Sequence, residues 1–261
     1  MLQSAILSQP VSITRSKRQT LTVVPATANA KASIDCSSCC LRNACLPCGL
    51  GGTEMSRFDE IATAKHKIAR GHSLYLVGDT FESLYAVRSG AFKTMSVSRH
   101  GDEKVTGFHM PGELLGLDAI NSGNHSFNAV ALEDSEVCVI PFQRLEKLAL
   151  AMPALQHQLL RLLSSDISRD HGLMLLLGSM TAEQRVAAFL LSLSKRHHRL
   201  GFSATHFVLR MTREEMGNYL GLTIETVSRL MSRFQREGLI ALKQRDIELR
   251  DVERLREIVG N

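Results

Sequence analysis

The hydrophobic pattern of this chain changes period at Pro153, and that change limits its fold more than any other feature. From about residue 68 to 142, short apolar runs such as "SLYLVGD", "SLYAVRSGAFKTMSVS", "KVTGFHMPGELLG" and "NAVALEDSEVCVIPF" alternate apolar with polar residues. Turns fall between them at Gly78-Asp79, Ser89-Gly90, His100-Gly101 and Pro111-Gly112. A period of two broken by glycine-bearing turns predicts antiparallel strands closed into a β-roll or barrel. After Pro153 the spacing becomes helical and continues to about Leu177; shorter helices follow from Thr181, then a strand pair around "LIALKQRDIELR". The fold class expected is α+β. Its organisation is a flexible tail over 1–33, a cysteine-rich segment over 34–50, a β-roll over 51–150, a long helix over 151–179 and a small helical domain over 180–261. With 261 residues and 44% hydrophobic content, the chain has enough material for two such cores.

Several classes drop out. No apolar run approaches the roughly eighteen residues of a membrane span, so a soluble, cytoplasmic protein is expected. The N-terminal "TLTVVPATANA" follows Arg15, Lys17 and Arg18 as a secretion signal would, but it is short and broken by Thr and Pro25, which excludes that reading. No constellation suited to a substrate site appears, so no enzymatic activity is expected. Charge is concentrated at the C-terminal end, where residues 181–261 carry fourteen Lys and Arg against ten Asp and Glu. That excess is modest and only hints at a polyanionic partner.

The same region holds the most specific pattern, "MTREEMGNYLGLTIETVSRLMSRFQREGLIAL". Thr212 and Glu215 have capping-box spacing for a helix ending at Leu220, and Gly221 supplies a turn. Thr223 then caps a second helix with Ile224, Val227, Leu230, Met231 and Phe234 facing inward and Glu225, Ser228, Arg229 and Arg233 facing outward. A short helix, a glycine turn and a polar-faced helix form a helix-turn-helix, with the strand pair after Gly238 as a wing. Arg229 can donate two bonds to guanine, Glu225 can accept from cytosine N4, and Ser228 can bond a base or a phosphate. Glu225 is informative because a carboxylate facing DNA is costly unless it reads a base.

Five of the six cysteines crowd into "DCSSCCLRNACLPC" at residues 35–48, and the sixth is Cys138. Structural disulfides do not suit the reducing compartment of a DNA-binding protein, so ligation of a metal or cluster is the better reading. Cys36-x2-Cys39 and Cys45-x2-Cys48 are close together for a zinc ribbon, and the bacterial ferredoxin spacing is absent. Alone, "EVCVI" would make Cys138 a buried thiol in a strand.

Together, "GDxxxSLYAVRSGxxK", "GDExxTGFHxPGELLGxDAI", "EVCVIPF" and "TREEMGNYLGLTIETVSRL" resemble the fumarate-and-nitrate-reduction (Fnr) branch of the cyclic-AMP-receptor family of transcription regulators, over residues 36 to about 250. The resemblance implies a cyclic-nucleotide-binding-like β-roll, a dimerisation helix and a C-terminal winged helix-turn-helix. It implies an oxygen-labile [4Fe–4S] cluster on Cys36, Cys39, Cys45 and Cys138, leaving Cys40 and Cys48 as extras. It also implies that Glu225, Ser228 and Arg229, with Thr223 and Arg233 beside them, read palindromic TTGAT-type half-sites in double-stranded DNA. In that family the turn "SRHGDEK" touches RNA polymerase, here through His100, Gly101 and Asp102; on its own it is also a plain hairpin turn. The Gly-Glu-Leu turn that binds cyclic nucleotide in many members is present at Gly112-Glu113-Leu114, but no Arg stands between Arg99 and Arg144 to hold the phosphate. Binding of cyclic nucleotide is therefore not expected.

On the long helix, Leu160, Leu163, Ile167, Asp170, Met174 and Leu177 follow the 3-4 spacing of a two-stranded coiled-coil seam. In a parallel homodimer Asp170 would face its own copy, holding association near threshold. A cluster-stiffened loop beside this helix would tip monomer to dimer, and only a dimer spans two half-sites. The expectation is an oxygen-responsive regulator, mainly an activator, of anaerobic genes. A same-fold regulator using the cysteines for zinc or thiol oxidation, and an iron–sulfur electron carrier, are the alternatives.

Overall fold

The computed structural model describes residues 35–62, 64–98 and 100–260; the tail expected over 1–33 lies outside them. The cysteine segment is a series of turns that leads into α1 (Gly52–Ile61). There follow β1 (Ala64–Ile68), β2 (Ser73–Tyr75), β3 (Ser83–Ser89), β4 (Phe92–Val97), β5 (Glu103–His109), β6 (Leu114–Leu115), β7 (Asn128–Ala131) and β8 (Ser135–Pro141). They form two antiparallel sheets, ordered β1-β8-β3-β6 and β2-β7-β4-β5, so the alternating runs are strands as expected. Tyr75, Val87, Phe92, Leu115 and Val137 fill the space between the sheets. The β3–β4 turn requires glycine at Gly90: its φ is +83°, and an added Cβ would collide with Ser135.

Helix α2 (Phe142–Ala151) leads into α3 (Pro153–Ser179), whose Pro153 stands where a missing N–H costs nothing. Its 27 residues give a rod of roughly 40 Å. Leu155 is buried with Leu145, Met152 and the cysteine segment's Leu46 and Leu50, which ties that segment to the helix base. Along the seam Leu160, Ile167 and Met174 are 57%, 56% and 62% exposed, Asp170 is exposed, and Leu163 and Leu177 are half-buried. Four of the six expected seam positions thus face solvent on the single chain.

The C-terminal domain comprises α4 (Ala182–Arg199), β9 (His206–Val208), α5 (Arg213–Leu220), α6 (Ile224–Arg236), β10 (Ile240–Lys243), β11 (Asp246–Leu249) and α7 (Val252–Val259). The expected wing is the β10–β11 hairpin, extended by β9 into a three-stranded sheet. Val105, Phe108 and Leu132 of the β-roll join this domain's core, so the two domains share apolar packing. Among the described residues no helix is long and apolar enough to cross a membrane.

Candidate functional site

The helix-turn-helix is built from local chemistry. Thr212 Oγ1 accepts from the Glu215 N–H at 3.1 Å, and the Glu215 carboxylate accepts from the Thr212 N–H at 2.8 Å, closing the expected capping box. Gly221 ends α5 with φ +65°. A Cβ at Gly217 would lie 2.7 Å from the Leu222 carbonyl oxygen, so glycine there lets α5 press on the turn. Thr223 caps α6, its hydroxyl accepting from the Thr226 N–H at 3.3 Å. Val227, Leu230, Met231 and Phe234 are buried, while Glu225, Ser228 and Arg229 are exposed on the opposite face. The Glu225 carboxyl is held below its ordinary range by its own backbone amide and the Thr223 hydroxyl, so it is ionised at neutral pH.

One expectation for this helix needs correction. Ile224, expected to face inward, is 44% exposed: it is the first residue of α6, on the rim of the turn rather than over the core. Arg233 is paired with Glu183 at the start of α4 and with Glu237 one turn on. At the tip between β4 and β5, Ser98 gathers the His100 and Asp102 N–H groups on its hydroxyl and leaves His100, Gly101 and Asp102 exposed.

The cysteine segment folds over β3 and β8. Asp35 accepts from the Ser37 and Ser38 N–H groups, and Asp59 of α1 accepts from the Cys36 N–H at 2.9 Å. Cys138, on β8 opposite Ala86 of β3, faces up into the segment. Cys36, Cys39, Cys45 and Cys138 line one concavity, with Phe58 and Arg88 among its walls. Cys40 is exposed and lines a different cavity, between the domains; Cys48 lines neither. Burial pushes the Cys36 thiol up, helped by Asp59, and burial pushes Cys45 up to about 12. Cys138 is raised by burial against the pull of the Arg88 guanidinium. Among the described residues no group of three His, Cys, Asp or Glu side chains is gathered about one metal ion. Four thiols on one concavity are a donor set that suits an iron–sulfur cluster.

Sequence reasoning missed a second cluster. Glu113, 7% exposed, accepts from Arg196 of α4 at 2.9 and 2.6 Å and from Arg199 at 3.4 Å, and lies 3.8 Å from Arg169 of α3. Burial would raise its carboxyl, but the Arg196 and Arg169 guanidiniums outweigh burial and hold it at about 2. Asp166, also on α3, pairs with Arg169 and belongs to this cluster. No motif spacing announces a contact between residues 83 apart. The one available signal was the Gly-Glu-Leu turn, kept without its phosphate-binding Arg.

Residues 184–258 match the family model of the Crp-like helix-turn-helix domain, and residues 65–151 that of the cyclic nucleotide-binding domain. The chain is 48% identical over 225 residues to the transcriptional regulatory protein Btr of Bordetella pertussis, covering 86% of this chain and 93% of that protein. It is 44% identical over 229 residues to the fumarate and nitrate reduction regulatory protein of Escherichia coli, covering 88% and 92%. FixK2 of Bradyrhizobium japonicum superposes with a TM-score of 0.68 at 31% identity, over 75% of this chain and 96% of that one. A β-roll, a long helix and a winged helix-turn-helix, in that order, define a two-domain DNA-binding transcription regulator. With relatives this similar along most of its length, the chain belongs to the Crp/Fnr family.

Proposed function

We propose that this chain is an oxygen-responsive activator of anaerobic genes that works in the cytoplasm as a DNA-binding homodimer under the control of a [4Fe–4S] cluster. One observation carries the reading: three thiols from the turns at 36–45 and one from a strand about ninety residues on, Cys138, line a single concavity that excludes Cys40. Cys36, Cys39, Cys45 and Cys138 would hold the cluster, and the chemistry it supplies when bound is reactivity toward oxygen. The chain's own residues do the rest. The cysteine segment packs through Leu46 and Leu50 onto the base of α3, and the exposed Leu160, Ile167 and Met174 offer a dimer seam. Two copies would set two α6 helices in successive major grooves, with Glu225, Ser228 and Arg229 on inverted TTGAT-type half-sites and Thr223 and Arg233 toward the backbone. The 98–104 turn would meet RNA polymerase. The division at about 34–50, 51–150, 151–179 and 180–261 follows these roles. Cyclic nucleotide is not a ligand in this reading, since protein arginines already occupy the Glu113 carboxylate.

Anaerobic purification with iron and sulfide analysis tests this. About four of each per chain, with DNA binding lost in air, is the expected result. Zinc without sulfide would overturn the cluster, and a metal-free protein with air-insensitive DNA binding would overturn the oxygen response.

A further inference from the structure

The turn Met110–Glu113 touches the cysteine segment on one side and the DNA-binding domain on the other. A Cβ added at Gly112 (φ +85°) would lie 3.3 Å from the Cβ and carbonyl oxygen of Ala44, the neighbour of Cys45, and 3.3 Å from Leu200 at the end of α4. Two residues on, Leu114 is buried with Cys36, Leu46 and Leu50. Gly112 and Leu114 thus meet the segment, while the Glu113 side chain between them reaches the arginines of α4. That carboxylate accepts from its own Met110 N–H at 2.9 Å and from Arg196 and Arg199, with Arg169 beside it. The turn is also stitched to β3: Gly112 N–H donates to the Val87 carbonyl at 2.8 Å, and Val87 N–H donates to the Glu113 carbonyl at 2.9 Å. Arg88, the next residue, lines the same concavity as Cys138. A short, pinned element therefore contacts the cysteine segment, the seam helix and the DNA-binding domain together.

We propose that Glu113 is a positioning residue that transmits the condition of the cysteine segment to the DNA-binding domain through Arg196 and Arg199, and to the seam helix through Arg169. A carboxylate is suited to this task because several guanidinium forks can share its two oxygens, and a displacement of the turn alters all of them at once. Gly112 fits for a complementary reason: without a side chain it lets Ala44 rest directly on the turn. The inference rests on the cluster-controlled reading above, since it needs a segment with two conditions.

The test compares full-length wild type with Glu113→Gln, which keeps shape and removes charge. Each is prepared anaerobically, assayed for iron and sulfide, and titrated with a duplex bearing two inverted TTGAT half-sites before and after exposure to air. Coupling between regulatory sites is typically 5–150-fold; in Glu113→Gln we expect the air-to-anaerobic ratio of Kd to fall below about threefold, with iron and sulfide at wild-type level. Arg196→Gln attacks the same contact from the other domain and should give the same result, which keeps the proposal exposed to refutation should Glu113→Gln fail to fold. A wild-type ratio in either folded variant would overturn the relay. A wild type lacking sulfide, or indifferent to air, would overturn the functional reading and the relay with it, and is distinguished by appearing in the unmodified chain.

Discussion

The side-chain oxygen of Asn218, on the first helix of the helix-turn-helix, accepts a hydrogen bond from the Val105 N–H of β5 at 2.7 Å. Its amide nitrogen donates to the Glu103 carbonyl at 2.7 Å. Strand β5 is the edge of its sheet, so Asn218 takes the place of a missing neighbouring strand. Nearby, Lys93 of β4 lies 2.8 Å from Glu215, the same carboxylate that caps α5. Burial would raise the Glu215 carboxyl, but Lys93 and the Thr212 N–H bind it more strongly and lower it, so the link is ionic at neutral pH. The recognition unit is thus held against its own β-roll by groups reaching both sides of one strand edge.

Asn218→Ala should bare both edge groups. The Val105 amide is expected to exchange with solvent about tenfold faster or more, since one hydrogen bond contributes about 0.5–1.5 kcal/mol net and its protection is lost with it. Hydrogen exchange read at Val105 and at a buried control such as Val137 checks this; equal protection in both proteins would mean that apolar packing alone holds the junction.

Arg229→Ala should cost about 1–3 kcal/mol on the palindromic site and relax discrimination at one base pair, because a bidentate contact to guanine is removed. Arg233→Ala should act differently: its guanidinium is shared by Glu183 and Glu237, so a smaller, sequence-independent loss is expected. Binding titrations over a set of single-base variants separate the two, and uniform weakening by Arg229→Ala would reduce that residue to a phosphate contact.

What could be read from the sequence was local. Thr212, Glu215, Gly221 and Thr223 fix the helix-turn-helix because caps and left-handed turns act within a few residues, and the glycines between strands announced the β-roll for the same reason. Long-range pairing was not legible. Nothing near Glu113 in sequence points to Arg196, and nothing near Arg233 points to Glu183 fifty residues earlier. Ile224 was misread because an inward period, extended to a helix's first residue, ignores that the end of a helix overhangs its core. Cys138 lay between these cases, since a strand thiol is ordinary until β8 sets it beneath the cysteine segment.

Serine at Cys36, Cys39, Cys45 or Cys138 should each abolish cluster assembly and anaerobic DNA binding, whereas serine at Cys40 or Cys48 should leave iron and sulfide unchanged. Cys40 opens onto the interdomain cavity, so its thiol would have to cross the segment to serve as a ligand. A full cluster in Cys138→Ser would sever the tie between segment and β8.

Stability should fall on mild acidification. Burial pushes His109 down to about 3, with Arg169 and Arg196 reinforcing burial and Glu113 opposing it. The unfolded chain takes up this proton near pH 6.5 while the folded chain does not, so no penalty exists above that pH and it grows as pH falls from 6.5 toward 3. At pH 5.5 the loss from this one residue is about 1.4 kcal/mol. His125 and His197, also lowered by burial, add to the same slope. In urea unfolding at pH 7.5 and 5.5, His109→Gln should therefore lose less than wild type by about 1 kcal/mol; an identical loss in both would remove His109 from the account.

Asp170 tests the seam. It stands exposed on α3 between Ile167 and Met174, which leave more than half of their surface to solvent on the single chain. In a parallel pair two such carboxylates about 4 Å apart would repel by about 1 kcal/mol in water and about 4 kcal/mol at a protein-like dielectric. Asp170→Ala removes that repulsion and substitutes the best helix former, so association should tighten roughly five- to several-hundred-fold. Asp166 is no silent control, because its loss would release Arg169 toward Glu113. Glu146→Ala is the better comparison, removing an equal charge from the exposed face of α2. Under air, with no cluster present, sedimentation should show Asp170→Ala as a dimer and both Glu146→Ala and wild type as monomers. A monomeric Asp170→Ala would mean that like charge does not hold the seam apart, and the threshold would then have to lie in the contacts of Arg169.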